Sequence, residues 1–163
     1  MKHRAVLLLG GNIGNTHLYF DVICQQLINV QISILKRSSL YSSPPWGFEA
    51  EQDFLNQALL VECEMDEYQL LEKTMEAEKY LGRDRKDEKG YTSRVIDIDI
   101  LFFEEKILNE RTLVLPHPRI HLRKFALLPL KEIIPEWIHP VSGKSIEVLI
   151  GECEDKSDVR RCG

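Results

Sequence analysis

The stretch Arg94-Val95-Ile96-Asp97-Ile98-Asp99-Ile100-Leu101-Phe102-Phe103 alternates isoleucine with aspartate and then turns wholly apolar. Strand side chains point alternately to the two faces of a sheet. Ile96, Ile98 and Ile100 therefore share one face, which the pattern assigns to the core. Asp97 and Asp99 share the other, roughly 7 Å apart along the strand. Residues 95–103 are the clearest strand in the chain. One packed face and one accessible face is the habit of antiparallel sheets.

Outward from this strand the chain reads as alternating elements. Upstream, Leu70, Leu71, Thr74, Ala77 and Leu81 recur at helical spacing. Asp66 and Gln69 have the spacing of a capping box, and Gly82 is a natural helix stop. Phe54 to Glu64 is an apolar-rich strand with Asn56 inside it. Ala5 to Leu9 is a buried strand stopped by Gly10-Gly11-Asn12. Thr16 is placed to cap a helix over about 17–29, with Phe20, Ile23, Cys24, Leu27 and Val30 as its apolar stripe. Ile32 to Tyr41 reads as one further strand. The order β-α-β-β-α-β is the ferredoxin-like pattern. It predicts an α+β sandwich: an antiparallel sheet with helices packed on one face and the other face open for chemistry. Beyond Phe103, Pro116, Pro118, Pro129, Pro135 and Pro140 divide the chain into short helices and turns. The polar stretch from Glu152 is expected to fray. One domain over residues 1–150 and a polar tail over 151–163 is the resulting organisation.

Composition narrows the function classes. The chain has 163 residues, 44% of them apolar and 29% charged, with a net charge of −5. A strongly basic nucleic-acid binder is excluded on global charge. No apolar run approaches the ~18 residues of a membrane span. The basic start Met1-Lys2-His3-Arg4 is followed by too short an apolar run for a signal peptide, so a cytoplasmic protein is expected. The four cysteines, Cys24, Cys63, Cys153 and Cys162, have no C-x-x-C spacing and are expected as free thiols. Gly10, Gly11 and Gly14 lack the G-x-G-x-x-G spacing of a dinucleotide fingerprint, and Gly143-Lys144-Ser145 lacks the earlier glycine of a phosphate loop.

Two features carry chemistry. Two carboxylates about 7 Å apart repel by about 0.6 kcal/mol in water and about 2.4 kcal/mol at an effective dielectric of 20, so a partly covered pair asks for a cation. Oxygen-only ligands suit Mg²⁺, which completes its shell with phosphate and water. The plainer reading is the polar outer face of an amphipathic strand. Residues 79–94 hold six basic side chains (Lys79, Arg83, Arg85, Lys86, Lys89, Arg94) against three acidic ones (Asp84, Asp87, Glu88), in a chain that is acidic overall. Arginines beside a metal site can clamp a polyphosphate; a solvated loop is the bland alternative. His117, in Leu115-Pro116-His117-Pro118, suits a phosphate contact better than a zinc site with His121. Trp46, Phe54, Asn56 and Phe125 suit a flat organic substrate.

These residues resemble the 6-hydroxymethyl-7,8-dihydropterin pyrophosphokinase family of the folate pathway, from about Val6 to Pro140. The resemblance is carried by Leu9-Gly10-Gly11-Asn12, Tyr41-Ser42-Ser43-Pro44-Pro45, Asp53-Phe54-Leu55-Asn56, Glu78 with Leu81-Gly82-Arg83, Arg94-x-x-Asp97-Ile98-Asp99, and Pro116-His117. It implies the ferredoxin-like sandwich and transfer of the β,γ-pyrophosphoryl unit of ATP to the pterin's hydroxymethyl oxygen, releasing AMP. Asp97 and Asp99 would hold two Mg²⁺ ions, and Arg83 and Arg94 would be catalytic arginines. Glu78, Arg85, Lys86, Ile100, His117 and Arg123 match positions that contact ATP in the family. Ser43, Pro44, Trp46, Phe54, Asn56 and Phe125 match its pterin pocket. Tyr91 or Gly90 stands where a tryptophan is expected, Pro118 where some members have tyrosine, and Thr112 and Val114 where an arginine and a threonine are expected. The loops at 43–53 and 83–94 are placed to act as lids. Small-molecule substrates and a monomer are implied, with no nucleic-acid or membrane partner. A polymerase-palm-like nucleotidyltransferase, or a ligand-binding module without catalysis, are the alternatives on a similar sheet.

Overall fold

β1 (His3–Gly11) is the strand around which the molecule is organised, and Ala5 to Leu9 along it are at most 3% exposed. A strand buried on both faces must be an inner strand. In the computed structural model, which describes residues 1–44, 52–82 and 95–162, β1 is flanked antiparallel by β4 (Phe54–Cys63) and β5 (Asp97–Phe103). The other edge of β4 carries β2 (Ser33–Arg37) and, further along, β3 (Tyr41–Ser43). A two-residue strand at Arg160–Arg161, on the outer edge of β3, completes the antiparallel sheet.

Alternate residues of the sheet feed two cores. Ala5, Leu7 and Leu9 of β1, Leu59 and Val61 of β4, and Ile98 and Ile100 of β5 pack with α1 (Thr16–Asn29) and α2 (Glu67–Tyr80). Each such fully buried side chain contributes roughly 1.5–3 kcal/mol. Val6, Leu8, Ala58 and Leu60 face the other way. The bulge in the β1–β5 pairing at Leu101 turns both Leu101 and Phe102 to this second face. There they meet α3 (Lys124–Ile133) and α4 (Ile146–Glu152). The expectation of helices on one face is thus corrected in part: α1 and α2 cover one face, while α3 and α4 cover half of the other. At one end of this second face Gly10 stands between Asn56 and Asp97, where polar side chains replace the apolar ones.

Other local expectations meet mixed outcomes. The capping box is present: Gln69 donates its backbone N–H to Asp66 Oδ1 at 2.8 Å, and Asp66 donates its own to Gln69 Oε1 at 2.9 Å. Gly82 ends the helix region at φ +89°, a conformation open to glycine. The cap of α1 is Asn15, whose Oδ1 accepts the Leu18 N–H at 3.2 Å; Thr16 is instead the buried first helical residue. The single strand expected over 32–41 is two strands, because Ser38 leaves the ladder. Its backbone donates to Ala58 O and its hydroxyl accepts from Ala58 N–H at 2.9 Å. Pro129 lies inside α3, where burial against the second core outweighs the lost helix bond.

After Phe103 come β6 (Leu108–Asn109) and β7 (Val114–Leu115), a small hairpin ending at a cis Leu115–Pro116 bond. The stretch from Glu152 does not fray. It closes with β8 (Arg160–Arg161) on the outer edge of β3, and Cys162 donates its N–H to Leu40 O at 2.8 Å. All four cysteines are free, as expected, and Cys24 and Cys63 are buried.

Candidate active site

The alternation of β5 emerges as read. Ile96, Ile98 and Ile100 are at most 5% exposed, while Asp97 and Asp99 are half-buried on the opposite face. β5 is an edge strand, so β1 satisfies only one of its edges. α2 supplies a partner on the other: Glu78 Oε2 accepts the Ile98 N–H at 2.8 Å. Further along, His117 donates its backbone N–H to Leu101 O at 2.9 Å. The strand bearing the two carboxylates is therefore held from both edges. Glu78 is 2% exposed. It reaches the site by gripping the backbone between Asp97 and Asp99. Ile100 turns its side chain into the core, so only its main chain is available to ATP.

The glycines of Leu9-Gly10-Gly11-Asn12 are explained by space. Gly10 sits directly opposite Asn56 on one side and Asp97 on the other, and a Cβ there would lie 3.2 Å from Asn56 Oδ1. A Cβ on Gly11 would lie 2.4 Å from the Val95 carbonyl oxygen. Gly10 thus leaves an uncluttered floor between an acidic strand and an amide, roughly 10 Å across two strand spacings. Asn56 is 3% exposed, and its Nδ2 donates to Ser43 Oγ at 3.0 Å. Phe54, two residues along on the same face, and Pro44 are half-buried. Asn56, Ser43, Phe54 and Pro44 are brought to one corner of the open face.

His117 and Arg123 border the acidic side. Burial pushes the His117 imidazole down to about 4, Arg123 adds to the effect, and Asp97 opposes it. The imidazole is thus neutral at pH 7 and within electrostatic reach of both. Its Nδ1 accepts the Arg119 N–H at 3.2 Å, which puts the ring proton on Nε2 as a donor. Arg123 is 7% exposed, with its guanidinium carbon 5.5 Å from the centroid of the half-buried Phe125 ring. An apolar hollow of ≈ 280 Å³ opens beside His117, lined by Ile107, Leu108, Val114, Leu115 and Pro118 among others. Five expected site residues (Trp46, Arg83, Arg85, Lys86 and Arg94) lie outside the described residues, as do Tyr91 and most of both expected lids.

The model of the family 7,8-dihydro-6-hydroxymethylpterin-pyrophosphokinase (HPPK) matches residues 6–135. The chain belongs to the HPPK family. Among its relatives is the 2-amino-4-hydroxy-6-hydroxymethyldihydropteridine pyrophosphokinase of Methylorubrum extorquens, 35% identical over 159 residues, which cover 97% of this chain and 98% of that one. The Bacillus subtilis protein of the same name is 35% identical over 134 residues, 82% of this chain and 79% of its own. The folic acid synthesis protein fol1 of Pneumocystis carinii is 38% identical over 138 residues, 85% of this chain but 18% of that longer protein. The crystal structure of Plasmodium falciparum HPPK-DHPS with pteroate superposes with a TM-score of 0.75 over 93% of this chain and 42% of that one. At 17% identity that likeness speaks for the fold, which is the ferredoxin-like sandwich of the HPPK family.

Sequence reasoning missed three contributors. Glu132, on the last turn of α3, accepts the Tyr41 hydroxyl at 2.8 Å and the Ser39 N–H at 2.7 Å. Asp155 accepts the Lys124 N–H at 3.0 Å. Gly11 reads in the sequence as a strand stop and as part of the family motif, with nothing to show how close the Val95 carbonyl lies. None of the three has a local signal beyond the short Asp155-x-Ser157 turn pattern.

Proposed function

We propose that this HPPK family member transfers the β,γ-pyrophosphoryl group of ATP to the hydroxymethyl oxygen of 6-hydroxymethyl-7,8-dihydropterin, in folate biosynthesis, with two Mg²⁺ ions held by Asp97 and Asp99. The observation that carries the metal assignment is the pair itself: two half-buried carboxylates on one face of a strand fixed at both edges. The donor set is oxygen only, which fits Mg²⁺ rather than a softer ion. Bound there, Mg²⁺ would supply charge neutralisation for the phosphates.

The chain's own residues do the rest by position. The pterin lies on the corner made by Ser43, Asn56, Phe54 and Pro44, with Phe125 as its aromatic neighbour; Trp46 is assigned to the same ligand from the family resemblance alone. Asn56 offers both a donor and an acceptor to the ring edge. The adenine takes the apolar hollow beside His117, and the neutral His117 donates Nε2–H toward phosphate. Arg123, Arg85 and Lys86 add positive charge to the triphosphate, while Glu78 and the main chain of Ile100 hold β5 beneath it. The pterin oxygen forms its bond to the β-phosphorus as the bond from that phosphorus to the bridging oxygen of AMP breaks. The alcohol's proton is released, and AMP leaves with the electron pair. Arg83 and Arg94 offset charge as the bond breaks. The reading has a monomer acting on small molecules in the cytoplasm, without nucleic acid; among the described residues no helix is long and apolar enough to cross a membrane.

The test is a product assay with ATP, Mg²⁺ and 6-hydroxymethyl-7,8-dihydropterin. AMP that forms only with pterin and Mg²⁺ present is the expected product. ADP would mean single-phosphoryl transfer, and no pterin-dependent turnover would overturn the substrate assignment.

A further inference from the structure

The residues from Asp155 to Cys162 join two elements that each carry a residue of the proposed pterin site, α3 with Phe125 and β3 with Ser43. At one end, Asp155 grips the start of α3: its Oδ2 accepts the Lys124 N–H at 3.0 Å, and Lys124 Nζ donates to Ser157 O at 3.2 Å. Asp155 is itself locked into a turn, since its Oδ1 accepts the Ser157 N–H at 2.9 Å and the Ser157 hydroxyl at 2.6 Å. Lys124 is the residue between Arg123 and Phe125. At the other end, β8 pairs with β3, Tyr41 opposite Arg161 and Ser42 opposite Arg160. Ser43, the next residue, holds Asn56. Val159, between the two ends, is 9% exposed.

The two ends do different mechanical work. β3 is only three residues long, and its inner edge has just three partners on β4. A strand that short has little pairing to hold its direction, and an uncovered outer edge would leave its backbone groups to water. β8 covers that edge immediately before the segment that leads into the pterin loop. A side-chain clasp reinforces it. Arg161 donates from Nε to Ser39 Oγ at 3.0 Å, and Ser39 N–H and Tyr41 OH converge on the Glu132 carboxylate of α3. The first turn of α3 has no side-chain cap of its own from Arg123. Asp155 supplies a carboxylate at that N-terminus from a distant part of the chain, where it is also favourable to the helix dipole.

We infer that the segment Asp155–Cys162 is a strap that sets the separation of Phe125 on α3 from Ser43 and Asn56 on the sheet, with Asp155 as its positioning residue for the pterin. This rests on the pterin corner assigned above. Asp155 holds the N–H of Lys124, between Arg123 and Phe125, while β8 holds β3, so the strap bears on the pterin corner from both ends and on the ATP side only through Arg123.

The experiment compares the wild type, a chain ending at Glu152, and the single variants Asp155→Ala and Arg161→Ala. For each, KM is measured for pterin and for ATP, together with kcat, thermal melting and pterin binding by calorimetry with a non-hydrolysable ATP analogue and Mg²⁺. The expected result is a rise in pterin KM and Kd of about tenfold or more for Asp155→Ala and the shortened chain. ATP KM should rise less than pterin KM, since only Arg123 links the strap to the triphosphate, and Arg161→Ala, which acts at the β3 end, should raise pterin KM by less than Asp155→Ala and leave ATP KM within about threefold. A strap that only stabilises the fold would lower the melting temperature and leave both KM values of the folded fraction unchanged; that result overturns the inference. If the shortened chain does not fold, the two single variants decide by the same criterion. A wild type without pterin-dependent AMP release would overturn the activity reading itself. A wild type with that activity and variants with unmoved pterin KM would overturn the strap alone.

Discussion

Gly11→Ala tests how the first strand sets the position of the acidic pair. A Cβ on Gly11 would stand 2.4 Å from the Val95 carbonyl oxygen, whereas ordinary contact begins at 3.4 Å. Val95 must therefore move by about 1 Å, since its oxygen is backbone and has no rotamer to escape into. Thr16 Cγ2, at 3.1 Å from the same point, closes the other direction. Asp97 is two residues beyond Val95, and the Ile98 N–H held by Glu78 is three beyond. The displacement enters the strand just ahead of both. Overpacking of this kind costs about 1–3 kcal/mol in stability. A misplacement of about 1 Å at a reacting centre can cost about a hundredfold in rate.

The expected outcome is a fall in kcat of about tenfold to a hundredfold, with a melting temperature lowered by several degrees. Gly10→Ala is the companion: its Cβ meets only the side-chain oxygen of Asn56, at 3.2 Å, and no backbone atom within 3.4 Å. It should lower pterin affinity more than kcat. AMP release under saturating ATP and Mg²⁺, with circular-dichroism melting, reads both. A Gly11→Ala protein with wild-type kcat would show that β5 does not transmit the shift, and the reasoning would fail.

Asp97→Ala and Asp99→Ala should each abolish Mg²⁺-dependent ATP binding and lower kcat by at least about a hundredfold, as losing charge stabilisation in a phosphoryl transfer does; calorimetry with and without Mg²⁺ checks this. Glu78→Ala removes a charge-assisted bond to a buried N–H, worth about 1.5–3 kcal/mol. Chemical denaturation should show that loss, and a fall in kcat should accompany it as the strand between Asp97 and Asp99 loses its hold. His117 titrates at about 4 when folded against 6.5 when exposed. The unfolded chain therefore binds its proton first, and stability present above pH 6.5 is lost as pH falls toward 4, by roughly 3 kcal/mol at most. Denaturation midpoints between pH 7 and 4 should fall less steeply in His117→Asn, and equal slopes would refute the assignment.

The elements that were legible in the sequence are those whose stability is local or periodic. The Ile/Asp alternation of β5 could be read because one face is core and the other is open, and a period of two leaves no second solution. The Asp66–Gln69 box could be read because both bonds close within four residues. What escaped depends on distant partners. Asp155 is a polar residue in a polar stretch, and only the folded chain brings the Lys124 N–H to it. A strap that works by hydrogen bonds along a strand edge carries no apolar periodicity, so its composition resembles that of a frayed end. Ser38 breaks the second strand only because Ala58 lies opposite. α3 packs on the second face because Pro129, which argues for a break, is outweighed by the burial of Leu127, Leu130 and Ile133 around it.

The position of the acidic pair on an edge strand follows from competing demands. Two carboxylates in the middle of a sheet would be covered on both sides by neighbouring side chains and would carry the desolvation cost of buried charge. On an edge they keep access to solvent and to a polyphosphate, but an edge strand is ordinarily the least constrained in a sheet. The structure resolves this by replacing the missing strand with two unlike partners: a buried carboxylate from α2 at Ile98 and the backbone of His117 at Leu101. β1 holds the opposite edge, and its two glycines keep bulk away from the floor of the site. Rigidity is thus supplied without covering the charges. A transfer that depends on positioning more than on a covalent protein intermediate needs that combination, because phosphate and metal charge must meet fixed counter-charges at the moment of bond exchange. It follows that substitutions at Glu78 and Gly11, which act on the backbone of β5, should impair turnover more than their cost in stability alone explains.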